Sequence, residues 1–254
     1  MKHSAGKYRD LSWLKIAIPV VIVAFVAIAF AVICFLPHNT NVQEEYTSQV
    51  DPNDPINRVI NFAELQAANP EIFAWIYIPG TNVDYPILQH PAADDFYLNH
   101  DMYGKSDVWG SLYIQNCNKK DFSDPVTMIY GHYGVNDYML STLHRFRDKA
   151  FFDANQYMYI YTPEKNYKLL TISAYEWGDS HVIKNRDLSN ESVRQSYFDY
   201  VLAPESNSVN VREGVKLSTQ DRIVQLSTCL DPYTNSNRRY LVTGQFIEEI
   251  QPNK

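Results

Sequence analysis

Cysteine is scarce in this sequence, with three copies in 254 residues, Cys34, Cys117 and Cys229. Secreted domains that depend on disulfides carry many more cysteines, so a disulfide framework is disfavoured. A bridge between Cys117 and Cys229 is the alternative, and we expect both to be free thiols. Neither glycine nor proline is abundant, with 9 and 13 copies, and the chain has no internal repeat or low-complexity tract. With 45% apolar residues, the sequence favours a packed core over disorder.

An excess of basic residues is also lacking. The chain has 22 Lys and Arg against 29 Asp and Glu, a net charge of −7. A nucleic-acid-binding face requires clustered positive charge, so nucleic acid is excluded as a partner. The His and Cys spacings make no zinc pattern, and no Asp-x-Asp-x-Asp-Gly calcium loop occurs. We therefore predict that the protein uses no metal and no cofactor.

One long uncharged run stands near the N-terminus. Residues 16–36 contain no charged side chain, and Lys2, Lys7, Arg9 and Lys15 precede them. Such a run is long enough to span a bilayer, and the positive-inside rule orients it. We predict a cytoplasmic segment 1–15, a transmembrane signal anchor 16–36, a linker 37–56 and an extracellular domain 57–254. The alternative is a cleaved signal peptide, because Ala29-Phe30-Ala31 has the small-x-small pattern of a cleavage site.

The pattern of the remaining chain predicts mainly β-strands with inserted helices. A short helix is expected from Phe62, capped by Asn61 and ended at Asn69-Pro70. Helical spacing recurs in two inserts, one containing Leu140 and Leu143 and the other following Asn190. Eight short strands in about 180 residues favour a closed barrel. The predicted strands are 74–78, 83–89, 112–115, 126–130, 157–162, 167–175, 223–228 and 240–247.

Two polar groups of matching chemistry follow apolar strands. Cys229 ends the strand that begins at Ile223, where a thiol is partly exposed as a nucleophile must be. His132 follows the strand that ends in Tyr130-Gly131, and a histidine is the usual proton-transfer partner of a thiol. Each residue alone has a plainer interpretation, since most free cysteines are buried apolar residues and most lone histidines are structural.

A third candidate is Arg239, at the start of the last strand. Residues 229 and 239 have the same parity, so an antiparallel hairpin would put them on one face of the sheet. A guanidinium there would stabilise a thiolate and a developing oxyanion. The plainer interpretation is an ordinary surface arginine. Arg238 is the neighbouring alternative, and the spacing from the cysteine favours Arg239.

The region from about Phe62 to Ile247 resembles the class B sortases. The Thr-Cys pair, the arginine ten residues later and the upstream Tyr-Gly-His form a specific signature in the order of that family. The stretches that carry the match are Asn82-Val83-Asp84-Tyr85-Pro86-Ile87-Leu88-Gln89, Gly110-Ser111-Leu112-Tyr113-Ile114, Ile129-Tyr130-Gly131-His132, Leu226-Ser227-Thr228-Cys229 and Arg239-Tyr240-Leu241-Val242.

The resemblance implies an eight-stranded sortase β-barrel preceded by a transmembrane helix, and a cysteine transpeptidase. His132, Cys229 and Arg239 correspond to the family's catalytic residues. The implied reaction cleaves the C-terminal sorting signal of a secreted protein after Thr, through a thioester, and passes the acyl group to an amine of a cell-wall precursor. The oxyanion would be held by the arginine and a backbone N–H near the cysteine. Residues expected to contact substrate are Ser227, Thr228, Tyr133 and Leu230; the last two depart from the residues common in the family.

The implied partners are secreted proteins with a sorting motif, a peptidoglycan-precursor or pilin amine, and the lipid bilayer. One alternative within the family is a pilin-polymerising sortase. A papain-like or amidase-type peptidase is disfavoured because His132 precedes Cys229 and both follow strands. A non-catalytic surface barrel, with structural Cys, His and Arg, is the remaining alternative.

Overall fold

The computed structural model describes residues 42–134, 136–178, 180–231 and 237–253. Within these ranges the strands are β1 (Ile72–Tyr77), β2 (Asp84–Leu88), β3 (Leu112–Tyr113), β4 (Val126–Tyr130), β5 (Tyr157–Tyr161), β6 (Asn166–Trp177), β7 (Val209–Val211), β8 (Ile223–Cys229) and β9 (Arg239–Ile250). The α-helices are α1 (Val42–Tyr46), α2 (Phe62–Ala68), α3 (Lys149–Ala154) and α4 (Glu191–Leu202). Short 3-10 helices occupy Pro55–Asn57, Phe96–Leu98 and Ser141–Arg147.

Eight of these described strands close into a barrel. The strand order is β5-β1-β2-β3-β4-β8-β9-β6, and β6 pairs back to β5. Pairing is parallel between β2 and β3 and between β4 and β8, and antiparallel elsewhere. The predicted mainly β fold with eight barrel strands is confirmed. The addition is β7, three residues that extend the edge of β6 beyond the closed ring.

Side chains alternate between two sides of the barrel wall, as the two-residue period of a strand requires. Ile129, Leu226 and Val242 belong to the apolar cluster that fills the interior. Met128 and Leu241 face outwards and pack against α4. A second outer cluster covers β1 with α2. The barrel wall near the end of β8 therefore has one face on the core and one face towards the inserted segments.

The predicted helices form with one change of type. Asn61 caps α2 by accepting a hydrogen bond from the Glu64 N–H at 3.2 Å, and Asn190 caps α4. The insert around Leu143 is a 3-10 helix followed by α3, where helical spacing had predicted a single helix. Met139 enters it with a φ of 51°, a left-handed conformation that an α-helix does not contain.

The chain before α2 packs on the barrel. Tyr46 and Ile56 are 7% and 8% exposed, and both belong to the outer cluster around β1. The stretch 42–56 had been assigned to the linker 37–56, but it is folded against the domain and belongs to its compact unit. The predicted boundary at residue 57 thus lies within packed structure. The predicted segments 1–15 and 16–36 lie outside the described residues, and no helix of the described part is long and apolar enough to cross a membrane.

Candidate active site

Cys229 and Arg239 lie directly opposite each other on β8 and β9. The next ladder hydrogen bond runs from the Leu230 N–H to the Arg238 carbonyl oxygen at 3.2 Å. In an antiparallel ladder the pair beside such a bond is a non-hydrogen-bonded pair, whose side chains approach most closely. The two side chains therefore lie on one face of the sheet, as the shared parity of residues 229 and 239 predicts. Cys229 is partly exposed.

His132 follows β4, which pairs in parallel with β8. Tyr130, the last residue of β4, lies opposite Ser227, and the Gly131 N–H donates to the Ser227 carbonyl oxygen at 3.2 Å. His132 therefore stands two residues beyond this pair in one segment, and Cys229 two residues beyond it in the other.

Gly131 permits close packing between the end of β4 and the side chains of Leu112 and Leu140. A Cβ atom on Gly131 would lie 2.3 Å from Leu112 Cδ2 and 2.9 Å from Leu140 Cδ1. Real Cβ atoms do not tolerate such contacts, so a larger residue would displace these leucine side chains or the strand end. The glycine between Tyr130 and His132 is therefore required by packing against β3 and the 139–147 segment.

The imidazole of His132 is oriented by a backbone carbonyl. Its Nε2 lies 2.7 Å from the carbonyl oxygen of Leu98, in the connection between β2 and β3. A carbonyl oxygen only accepts hydrogen bonds, so Nε2 carries the proton of this contact. Nδ1 is the ring atom that remains for proton exchange with another group.

The two neighbouring arginines have different surroundings. Arg238 forms an ion pair with Glu176, which also lies 3.5 Å from Arg147. Arg239 instead donates from Nη1 to the Arg238 carbonyl oxygen at 3.2 Å. Burial raises the pKa of Tyr113 and Tyr130, and the charge of Arg239 acts on both pKa values in the opposite direction. The Arg239 guanidinium therefore faces these tyrosines.

These contacts define an outer patch made of Tyr113, Tyr130, Ser227, Cys229 and Arg239. The rings of Tyr113 and Tyr130 stack with centroids 5.5 Å apart. The Tyr130 hydroxyl lies 3.3 Å from His181 Nε2, which is 2.6 Å from Gln115 Oε1. Sequence reasoning did not select the tyrosines, although Tyr130 stands two residues before His132.

The four residues predicted to contact substrate do not lie together. Ser227 is on the outer face with Cys229, whereas Thr228 is 1% exposed and points into the barrel, as strand alternation requires. Leu230 packs against the interior cluster. Tyr133 stacks on the ring of His144 at 4.4 Å. Of these four residues, Ser227 alone belongs to the outer patch. The Thr228 side chain faces the barrel interior and does not reach that patch.

Among the described residues, no group of three or more His, Cys, Asp or Glu side chains is arranged to hold a metal ion. Cys117 is exposed and free. Partial burial of its sulfur raises its pKa, and its charge acts on the pKa of Tyr130.

No family model matches the chain. Sortase B of Staphylococcus aureus is 27% identical over 187 residues, which cover 74% of this chain and 75% of that protein. Sortase B of Listeria monocytogenes is 28% identical over 184 residues, covering 72% of this chain and 73% of that protein. Both matches span most of the region that contains the barrel.

Solved structures of class B sortases are also similar to this chain. A Streptococcus pyogenes class B sortase involved in pilus biogenesis is 28% identical with a TM-score of 0.62, covering 73% of this chain and 97% of that one. The chain belongs to the class B sortases. The Staphylococcus aureus sortase B–substrate complex has a TM-score of 0.65 at 26% identity, over 74% of this chain and 85% of that one. A sortase B complexed with triglycine has a TM-score of 0.64 at 26% identity, over 76% of this chain and 86% of that one. This protein is therefore a sortase-type cysteine transpeptidase of the cell envelope.

The inward position of Thr228 in this sortase leads to a prediction. Its Oγ1 is buried and has no hydrogen-bond partner among the described residues, which costs free energy. We expect Thr228→Val to raise the free energy of unfolding by about 1 kcal/mol and to leave peptide cleavage unchanged. Denaturant unfolding and a cleavage assay measure the two effects.

Ser227→Ala is the matched variant on the outer face. We expect it to lower kcat/KM about fivefold, the equivalent of one hydrogen bond of about 1 kcal/mol. A loss of cleavage in Thr228→Val equal to that in Ser227→Ala would contradict the inward assignment of Thr228.

His144 gives the sortase an acid-sensitive element. Burial, with the charge of Arg147, lowers the pKa of His144 from 6.5 to about 4. The unfolded chain takes up this proton below about pH 6.5 and the folded chain only below about pH 4, so stability is lost as the pH falls through that window. Because the ring is partly solvent-exposed, we expect on the order of 1 kcal/mol between pH 7 and pH 5.

The measurement is the free energy of unfolding at both pH values for the parent and for His144→Phe. The parent should lose more stability than the variant on acidification. Equal losses would mean that His144 makes no contribution of this kind.

Proposed function

We propose that this class B sortase cleaves the C-terminal sorting signal of secreted proteins after Thr and transfers the acyl group to an amine of a cell-wall precursor. The observation that supports it is the strand register, which pairs Cys229 with Arg239 and joins β8 to β4, the strand that His132 follows. Chemistry of this kind requires a nucleophile, a proton carrier and an oxyanion partner within reach of one carbonyl group. We further propose that residues 16–36 anchor the enzyme in the membrane, with the N-terminus cytoplasmic and the barrel outside.

In the first step the Cys229 thiolate attacks the Thr carbonyl carbon, and the carbonyl electron pair moves onto oxygen. The Leu230 N–H is already donated to the Arg238 carbonyl oxygen at 3.2 Å. We therefore assign most of the negative charge to the guanidinium of Arg239.

Proton transfer is assigned to His132. Protonated Nδ1 gives its proton to the leaving amine as the C–N bond breaks, which leaves a thioester on Cys229. The Nε2–H stays on the Leu98 carbonyl oxygen and keeps the ring in place. The neutral Nδ1 then takes a proton from the incoming amine, which attacks the thioester carbon and releases the thiolate.

The nature of the two substrates is supported by the solved relatives. One Staphylococcus aureus sortase B structure is a substrate complex, and another sortase B was solved with triglycine. A peptide donor and a glycine amine acceptor are consistent with the site described here. A second candidate is pilin polymerisation, which is favoured by the similarity to a class B sortase involved in pilus biogenesis. In that case the acceptor amine belongs to a pilin.

Intact-mass spectrometry tests the proposal directly. The full-length chain, Cys229→Ala and the control Cys117→Ser are each mixed with peptides containing Asn-Pro-x-Thr or Leu-Pro-x-Thr. We expect an adduct of the peptide's N-terminal half on the parent and on Cys117→Ser, and none on Cys229→Ala. An adduct that persists on Cys229→Ala, or none on the parent with any peptide, would overturn the assignment.

The acceptor is identified in the same assay. Triglycine and a lysine peptide are added in competition, and the ligated products are compared. Preferential ligation to triglycine supports transfer to a cell-wall precursor. Preferential ligation to the lysine side chain supports pilin polymerisation.

A further inference from the structure

One imidazole ring contacts the three chain segments that carry the proposed catalytic residues. His144 Nε2 lies 3.0 Å from the carbonyl oxygen of Cys229. One face of the ring stacks on Tyr133 at 4.4 Å, and the other stacks on Tyr240 at 4.8 Å, each with an interplanar angle of 22°. Tyr133 directly follows His132, and Tyr240 directly follows Arg239. The ring thus touches the nucleophile's own backbone and the immediate neighbours of the other two residues.

The hydrogen bond to Cys229 fixes the protonation state of the ring. The carbonyl oxygen accepts, so Nε2–H donates. Nδ1 is buried and has no hydrogen-bond partner among the described residues. A second proton on Nδ1 would bury an unpaired charge. The geometry therefore requires a neutral imidazole, and the lowered pKa of His144 agrees with it.

The charged groups around His144 act in the same direction. Arg147, on the same 3-10 helix, holds its guanidinium 5.2 Å from the ring centre of Tyr240. Its charge opposes protonation of His144. Glu176, on β6, is engaged by Arg147 and Arg238. The facing groups from β9 and from the segment after β4 are the tyrosines, for which the ring is a flat packing partner.

The peptide group that follows the nucleophile is held on both sides. Its carbonyl oxygen accepts from His144, and its N–H, that of Leu230, donates to the Arg238 carbonyl oxygen. A peptide plane held at both ends fixes the backbone from which the Cys229 side chain projects. The position of the sulfur relative to His132 and Arg239 depends on that backbone.

We propose that His144 is a positioning residue that, as a neutral imidazole, holds the segments of Cys229, His132 and Arg239 in the arrangement needed for acyl transfer. The proposal rests on the proposed function, because the effect is on that reaction. His144 acts through the backbone and the neighbouring rings and does not touch the substrate.

Two substitutions separate donation from stacking. His144→Phe keeps a flat ring between the tyrosines and removes the donor to Cys229. His144→Gln removes the ring and retains a donor, because the glutamine amide nitrogen is as many bonds from Cβ as Nε2. We expect His144→Phe to lower kcat for peptide cleavage up to about 100-fold with KM changed less than about twofold, as expected for a small displacement of a reacting group. His144→Gln should recover at least about tenfold of that loss.

A second measurement needs no peptide substrate. Full-length parent and variants are alkylated with iodoacetamide from pH 5 to pH 9, and peptide mass spectrometry separates Cys229 from Cys34 and Cys117. We expect the rate-against-pH curve of Cys229 to change in His144→Phe and to return towards the parent in His144→Gln. The rate for Cys117 should be the same in all three proteins and serves as the internal control.

The outcomes distinguish this proposal from the function on which it rests. Parent-like kcat and alkylation in His144→Phe would overturn the positioning role while acyl transfer by the parent still stands. Equal losses in the Phe and Gln variants would also overturn it, since donation to Cys229 would then be unimportant. No thioester on the parent would instead remove the proposed function. Denaturant unfolding at pH 7 verifies that each variant is folded under assay conditions.

Discussion

Arg239→Ala is expected to lower kcat for acyl transfer by about 10²- to 10³-fold, the usual effect of removing an oxyanion partner. Arg239 occupies the strand position directly opposite Cys229, and the Leu230 N–H, which follows the nucleophile, is already bonded to the Arg238 carbonyl oxygen. The guanidinium is therefore the group to which we assign the charge. KM should change much less than kcat, because the interaction forms mainly in the transition state.

Arg238→Ala is the matched control, since it removes the same charge one residue away. Arg238 pairs with Glu176, which retains Arg147 at 3.5 Å in the variant. We expect a loss of less than about threefold, as for other partly exposed ion pairs. Steady-state cleavage of a sorting peptide measures both variants. A larger effect for Arg238→Ala than for Arg239→Ala would mean that the oxyanion partner was misassigned.

Asp84→Ala is expected to lower the free energy of unfolding by about 3–5 kcal/mol, because it leaves a buried guanidinium without its partner. Arg58 donates to both carboxylate oxygens of Asp84, at 2.6 and 3.0 Å, and its side chain is 3% exposed. Trp75 Nε1 donates to the same carboxylate at 2.6 Å. This ion pair ties the segment before α2 to the β1–β2 hairpin.

Denaturant unfolding of the full-length chain measures this effect. The control is Asp153→Ala, which removes a carboxylate paired with Lys149 on the surface of α3, where the two side chains are 51% and 58% exposed. We expect a change below about 0.5 kcal/mol there. The double variant Arg58→Met, Asp84→Ala should recover part of the loss, since the unpaired charge is gone. Equal effects for Asp84 and Asp153 would show that burial of the first pair is unimportant.

The barrel could be predicted because its strands have local sequence signals. Alternating or continuous apolar runs with turn residues between them located all eight barrel strands. β7 was not predicted because three residues, Val209–Val211, are too few to show a periodicity. The 3-10 type of the helix at Ser141–Arg147 was not predicted for a different reason. Residues at i and i+3 share a face in both helix types, so apolar spacing alone does not separate them.

Within the site, spacing alone could predict only the relation between residues on strands that follow each other in the chain. Parity fixed the relation between Cys229 and Arg239, because the two strands form a hairpin. The parallel pairing of β4 with β8 is non-local, so the proximity of His132 to Cys229 was expected only from the family resemblance. The position of His144 depends on its stacking between two rings, Tyr133 and Tyr240. These two tyrosines are more than 90 positions apart in the chain. No spacing rule encodes such a contact.

The order of the strands has a consequence for how this enzyme is made. Cys229 and Arg239 lie on the last two strands of the described chain, and β9 closes the ring between β8 and β6. A chain synthesised from its N-terminus therefore contains His132 long before it contains a thiol opposite an arginine. Until the last strand is added, such a chain has no nucleophile paired with Arg239. The pairing of Cys229 with Arg239 thus forms only when the final strand closes the ring, so we expect activity to depend on completion of the fold.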